Sequence, residues 1–264
     1  MIMLFFLEMF TAVFLGLILG SFSSALIYRV PRKMPWGAVR SSCTNCKYVL
    51  TARDLIPVFS WLIARGKCRK CGASVSYIYP VLELVSAFLC VATYLVFGLT
   101  YEAFFVFAAI PFLLALCVID LRHMILPNQL VFILFVIGVL RLFYFSVTGV
   151  FTQASDMFVT YFLGAVFYGF VSWFTGFILS KILKKDSLGF GDVKFFIVAG
   201  LWLGLDFAPQ FLIMSGALAI LFAVIWQKLF KRHLFPFGPA LIISFFVLLL
   251  FQGSFLGGKP LLWL

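Results

Sequence analysis

Eight long apolar runs constrain this chain more than any other feature, near residues 3–28, 79–98, 103–120, 127–146, 157–183, 190–206, 208–229 and 235–256. Runs of roughly 17 to 25 apolar residues are what an α-helix needs to cross a bilayer. With 64% hydrophobic residues, 36 Phe and only 11% charged residues, the chain lies far outside the soluble average. The sequence therefore predicts an all-α polytopic membrane protein of about eight transmembrane helices. The first run is too long for a signal-peptide core and lacks a basic leading region and a small-residue cleavage site, so it reads as a retained span over 1–28.

Only the stretch 29–78 is long and polar enough to form an extramembrane domain, leaving 79–264 as the membrane domain. If 29–78 lies on one side, the loops around Arg122, Lys181 to Lys194 and Lys228 to Arg232 fall on that side too. All but Arg141 and Lys259 of the 20 basic residues then lie there. The opposite side carries Glu102, Asp156 and Asp206. The Lys/Arg bias makes the basic side cytoplasmic and points both termini outward.

The polar domain holds Cys43-Thr44-Asn45-Cys46 and Cys68-Arg69-Lys70-Cys71. Two C-x-x-C turns suit a tetrahedral four-thiolate zinc site, although the 21 residues between them lie just beyond the usual spacing. Disulfides or free thiols are the alternative. A cytoplasmic domain is kept reduced, and one of about fifty residues needs more than its own core to hold together, so structural zinc is the expectation. Cys90 and Cys117 lie in apolar runs and read as small core residues. Ten basic residues between Arg29 and Lys70, against the single acid Asp54, point to anionic lipid headgroups or an acidic substrate segment rather than nucleic acid.

Asp120, in Cys117-Val118-Ile119-Asp120-Leu121-Arg122, and Asp192, in Gly189-Phe190-Gly191-Asp192-Val193-Lys194, end or interrupt apolar runs. A carboxylate at membrane depth is costly unless paired or protonated, and marks a functional position. The topology puts both at cytoplasmic helix ends. Two acids sharing one proton can activate a water and protonate a leaving amine, which peptide hydrolysis requires. Gly189 and Gly191 would let a ligand approach the backbone and break the helix beside the acid. The same residues leave proton relays, cation sites and transporter gates open. A coupled carrier, the main alternative, predicts broken spans in both halves, yet the glycine break near Asp192 has no counterpart near Asp120.

An ordered series of motifs adds to this reading. It runs through Gly20-Ser21-Phe22, Tyr28-Arg29-Val30-Pro31, both cysteine turns, Ile56-Pro57-Val58-Phe59-Ser60-Trp61-Leu62, Arg65-Gly66-Lys67-Cys68 and Tyr79-Pro80-Val81-Leu82-Glu83-Leu84. It continues with Asp120, Leu126-Pro127-Asn128, Gly189 to Lys194 and Pro236-Phe237-Gly238-Pro239. In that order the chain resembles, over nearly its whole length, the type IV prepilin peptidases, GxGD-type aspartyl proteases of the bacterial inner membrane.

The resemblance implies Asp120 and Asp192 as the catalytic pair, Gly189, Gly191 and Lys194 as their loop, and Cys43, Cys46, Cys68 and Cys71 as zinc ligands. It also implies the substrates, type IV prepilins or type II secretion pseudopilins. Their short basic leader would be removed at a Gly-Phe bond on the cytoplasmic face. N-methylation of the new terminus by S-adenosylmethionine rests on the resemblance alone, with no donor-binding residues identified. Ser24 stands where relatives usually carry Asn, which puts any contact of that amide in doubt. Asp54, Glu83 and Asp186 are the few acids placed to receive a basic leader, though local ion pairs or a helix-start contact are their more ordinary roles. Arg122, His123 and Lys194 read as ordinary flanking charges before they read as partners of the acids. Pro236-Phe237-Gly238-Pro239 reads first as a break before the last run and second as active-site rim.

Overall fold

The computed structural model describes residues 2–37, 40–148, 154–184, 188–231 and 234–255; Asp186, Arg232 and Lys259 lie outside them. The described residues are mostly helical, with no β-strand among them beyond the isolated bridges Ser42–Val49 and Lys67–Ser74. The helices are α1 (Ile2–Arg29), α2 (Phe59–Ile63), α3 (Ile78–Phe97), α4 (Tyr101–His123), α5 (Asn128–Val147), α6 (Ala154–Leu183), α7 (Phe190–Leu203), α8 (Ala208–Phe230) and α9 (Gly238–Phe255). All eight apolar runs are helices, and α2 is a short extra one inside the polar domain.

Six of the helices are long and apolar enough to cross a membrane, and the chain is a multi-pass membrane protein. The expected count of eight is not reached on length, because α7 and the apolar part of α9 are shorter. With 14 residues, α7 is about 21 Å long at ~1.5 Å per residue, against roughly 30 Å of hydrocarbon. Its limits are local. Gly189 precedes it in extended conformation, and Gly204, at φ +74°, stops it. The helix is clad in protein rather than lipid, since Phe195, Phe196 and every residue from Val198 to Leu203 are buried.

The chain divides into two compact units, Met1–Ala115 and Leu116–Leu264. In the first, α1 lies directly on α3. A Cβ on Gly16 would fall 2.5 Å from the Ala87 Cα, and one on Gly20 2.5 Å from the Glu83 Cα. Small residues four apart let two membrane helices touch backbone to backbone, where dispersion replaces the missing hydrophobic drive. That closeness brings the start of α3 against Ser21 and Ser24 of α1.

In the second unit α7 is the hub. It meets α6 where a Cβ on Gly164 would fall 2.7 Å from the Gly200 carbonyl oxygen. Phe195 and Trp202 both pack edge-on against Phe245 of α9. Arg141, one of the two basic residues that the sequence leaves off the basic side, is buried, and its guanidinium donates to the Trp202 carbonyl at 3.2 Å. Gln252 donates to the Leu203 carbonyl at 3.2 Å. Together they satisfy carbonyls that a helix C-terminus leaves open, with a cation where the helix dipole favours one.

Candidate active site and metal centre

Asp120 lies one turn from the end of α4, which closes when Met124, at φ +53°, donates its N–H to the Asp120 carbonyl at 2.8 Å. Its side chain is only 4% exposed. A buried carboxylate needs donors, and the backbone N–H of Gly238, the first residue of α9, supplies one at 2.8 Å to Oδ2. The two residues are 118 positions apart in sequence. A Cβ on Gly238 would fall 2.7 Å from that same oxygen, so only glycine fits without displacing the acid.

Asp192 is built the same way at another helix start. It occupies the first turn of α7, its N–H donates to the Gly189 carbonyl at 3.0 Å, and its carboxylate accepts the Gly189 N–H. A Cβ on Gly189 would sit 3.0 Å from Asp192 Oδ2. Each aspartate thus accepts a glycine N–H where a helix dipole favours negative charge, and the charge of Asp120 acts on Asp192. Such a pair can hold one shared proton and exchange it with a bound group.

The flanking residues sort themselves by contact. Gly191 touches Leu126, where an added Cβ would meet the Leu126 carbonyl oxygen at 3.2 Å. Lys194 donates to Asn128 Oδ1 at 2.8 Å and lies over the Phe190 ring. It therefore ties the start of α7 to the start of α5 instead of holding either acid ionised. Arg122 and His123 are exposed, which fits the ordinary reading. Gly238 is the residue whose part sequence reasoning ranked second. Its signal, Pro236-Phe237-Gly238-Pro239, was visible as a break but carried nothing to name Asp120 as its partner.

In the first unit, Cys43, Cys46, Cys68 and Cys71 gather with all four sulfurs within 4.8 Å of one another, and Cys43 and Cys71 3.9 Å apart. Four sulfurs at ~2.3 Å from one ion would be about 3.8 Å apart. None of the four cysteines is joined in a disulfide. The cluster is made of one turn used twice. Cys43 donates its N–H to the Tyr48 carbonyl at 2.9 Å and accepts from Lys47, while Cys68 donates to Ala73 at 2.8 Å and accepts from Gly72. Lys47 and Gly72 both have positive φ, and each turn is closed by one isolated bridge. N–H groups of Cys46 and Asn45 bring the Cys43 thiol down to about 6, and the Ala73 N–H lowers Cys71. Backbone donors of this kind favour thiolate, the ligand form, whereas desolvation and the neighbouring Cys71 thiol push Cys46 up to about 11.

Of the three acids considered for a basic leader, Asp54 is locally committed. Its carboxylate accepts the Thr51 hydroxyl and N–H at 2.7 and 3.0 Å and pairs with Arg69 at 3.3 Å. The Thr51 hydroxyl first, then its N–H and the Arg69 charge, hold this carboxyl below its usual range. Glu83 is buried and accepts the Val58 N–H at 2.6 Å. Asp186 lies outside the described residues.

Residues 14–97 match the family model described as the bacterial Peptidase A24 N-terminal domain, and residues 104–224 match the type IV leader peptidase family. Among curated proteins, the chain is similar to a prepilin leader peptidase/N-methyltransferase of Bacillus subtilis (strain 168), 34% identical over 86% of this chain and 87% of the relative. It is 31% identical to one of Aeromonas hydrophila over 93% of this chain and 91% of the relative. A type 4 prepilin-like proteins leader peptide-processing enzyme of Escherichia coli O78:H11 is 30% identical over 91% and 93%. No solved structure matches.

Proposed function

The chain belongs to the type IV leader peptidase family, and from that premise we propose that it removes the leader peptides of type IV prepilins or related pseudopilins and methylates the amino terminus so exposed. Asp120 and Asp192 are the catalytic pair in this reading. The observation that carries it is the matched construction of the two acids, each on a glycine N–H at a helix start, in one compact unit.

In the reaction, the ionised member of the pair takes a proton from water as the water oxygen attacks the scissile carbonyl. The protonated member gives its proton to the leaving nitrogen, and the pair ends with its single proton on the other carboxyl. Gly189 and Gly238 hold each acid in place through backbone atoms that need no reorganisation. Lys194 and Asn128 brace the loop. The leader stays with the basic cytoplasmic face of the bacterial inner membrane while the apolar pilin helix lies among the spans, with α7 and α9 completing about eight membrane helices.

Cys43, Cys46, Cys68 and Cys71 would hold one zinc ion in the 29–78 domain. Four thiolates close the coordination shell, so the ion stabilises the domain and leaves no position for a reacting water. The carrier alternative fares worse. Asp120 lies in a helix that continues to His123, and the relatives reported above are named as leader peptidases.

Purified protein in detergent, given a prepilin peptide and S-adenosylmethionine, tests the whole reading. Mass spectrometry should find the leader released at the Gly-Phe bond and one methyl group on the new terminus. An uncut peptide would reject the peptidase assignment.

A further inference from the structure

The first unit forms a half-open cleft of about 460 Å³, between the start of α3, the cytoplasmic end of α1 and the cysteine-bearing domain. That is the volume of a small-molecule site. The pair Asp120 and Asp192 makes no use of it. Its walls carry the side chains of Ser21, Ser24 and Ser60, the rings of Tyr28 and Trp61, the acids Asp54 and Glu83, and five basic residues of the polar domain and the end of α1. Trp61 is fixed by its indole N–H on the Val75 carbonyl at 3.0 Å.

Glu83 is held in an unusual way. Val58 has φ +60° and ψ −54°, and Phe59 donates to the Pro57 carbonyl at 2.6 Å. This is the γ-turn of positive φ, rare in any protein and an outlier for a β-branched residue. The strained turn aims the Val58 N–H at Glu83 Oε2, 2.6 Å away, and the Ser21 hydroxyl also bonds that carboxylate. Local strain that the surroundings enforce tends to mark function. In a domain with ten basic residues between Arg29 and Lys70, and with Asp54 already paired to Arg69, Glu83 is the acid left in this cavity to attract a cation.

We propose that this cavity is the methyl-transfer site and that Glu83 receives the amino terminus released by cleavage. The inference rests on the peptidase/methyltransferase reading above and assigns a site within it. The terminus arrives as an ammonium and cannot attack until it loses a proton. Glu83 accepts that proton. The freed nitrogen then forms the N–C bond to the donor methyl while the C–S bond breaks and its electron pair stays on sulfur, leaving a methylated ammonium and a neutral thioether. An adenosyl sulfonium fits the remaining walls, with Trp61, and the face of Tyr28 that the Arg32 guanidinium does not cover, offered to adenine or the cation and the serines facing ribose hydroxyls. Ser24, whose hydroxyl bonds the Gly20 carbonyl at 3.2 Å, completes the α1 wall.

The test uses the full-length protein in detergent with Glu83→Gln. Three quantities are read: cleavage of a prepilin peptide, binding of labelled S-adenosylmethionine by equilibrium dialysis, and affinity for a peptide starting at the new terminus, free or N-acetylated. Wild-type protein should bind the free amine about tenfold or more tightly than the acetylated peptide, as expected for a charge-assisted bond. Glu83→Gln should erase that preference and lower methylation about 100-fold. Cleavage and donor binding should stay within about threefold of wild type. Methylation by Glu83→Gln at the wild-type rate overturns the assignment. So does loss of cleavage, which would give the acid to the leader, or loss of donor binding alone, which would give it to the donor. If wild type cleaves but never methylates, the methyl-transfer reading falls and this assignment with it. Should Glu83→Gln lose zinc or melt early, Ser60→Trp, which narrows the cavity from the domain side, replaces it. Ser60→Trp should block methylation and spare cleavage; full methylation by that variant rejects the site.

Discussion

The cysteine cluster and the aspartate pair are both built from four chain positions, but they are assembled from opposite kinds of information. Each C-x-x-C turn makes itself, with hydrogen bonds between Cys43 and Tyr48 and between Cys68 and Ala73, and the two copies need only meet. The acid pair is only half local, since Asp192 rests on Gly189 three positions before it. Asp120 depends on Gly238, 118 positions away, and the loop of Asp192 is braced by Asn128, 66 positions from Lys194. A locally encoded site can be read and transplanted as a motif. A site encoded by helix packing exists only when several spans have assembled, so its failure and theirs are harder to separate.

The largest expected effect lies at the packed site. Asp120→Asn and Asp192→Asn should each reduce cleavage by on the order of 10⁴-fold or more while zinc content and melting temperature hold. The double variant should be no worse, because the two groups act as one. Near-normal cleavage by either single variant would sink the paired mechanism. Cys43→Ser or Cys71→Ser should empty the metal site and remove several kcal/mol from the first unit, since structural zinc binding is largely folding energy. Elemental analysis together with thermal melting checks this, and undiminished stability without zinc would show the turns to be self-sufficient.

Gly238→Ala is a subtler probe. Its Cβ would crowd Asp120 Oδ2 and disturb a bond of ~1–3 kcal/mol, so kcat should fall about tenfold or more with little change in zinc content. A variant with wild-type kcat would mean the N–H is not needed. Smallest is Asp54→Asn, expected to remove ~0.5 kcal/mol from the polar domain at neutral pH. The folded carboxyl of Asp54 lies below its unfolded value. Its contribution is therefore complete above the ordinary value of about 4 and vanishes as pH falls through the lower folded one. Melting curves of wild type and variant should converge in acid, and a constant gap would count against the Thr51 and Arg69 contacts.

What the sequence could convey follows the same divide. Both cysteine turns, the eight apolar helices and the two acids were legible, because each leaves a mark within a few residues. The function of Gly238, the contact of Lys194 with Asn128 and the burial of Arg141 on the Trp202 carbonyl were not, since each pairs distant positions and no single-chain pattern names the partner. The shortness of α7 was not legible for a related reason. Hydropathy reports how apolar a run is, whereas Gly189 and Gly204 decide where the helix ends.

That short helix has a consequence for the supply of water. A helix about 9 Å shorter than the ~30 Å hydrocarbon layer leaves part of the membrane's depth to irregular chain, here the open turn at Leu188 and Gly189. Peptide groups outside a helix cannot face lipid tails and must be solvated or covered by protein. Gly189 is exposed, and in the proposed mechanism the water such a turn requires would also be the reagent that hydrolysis at Asp192 consumes. In that mechanism the chain's break in regular structure and the access of the second substrate would be one and the same opening.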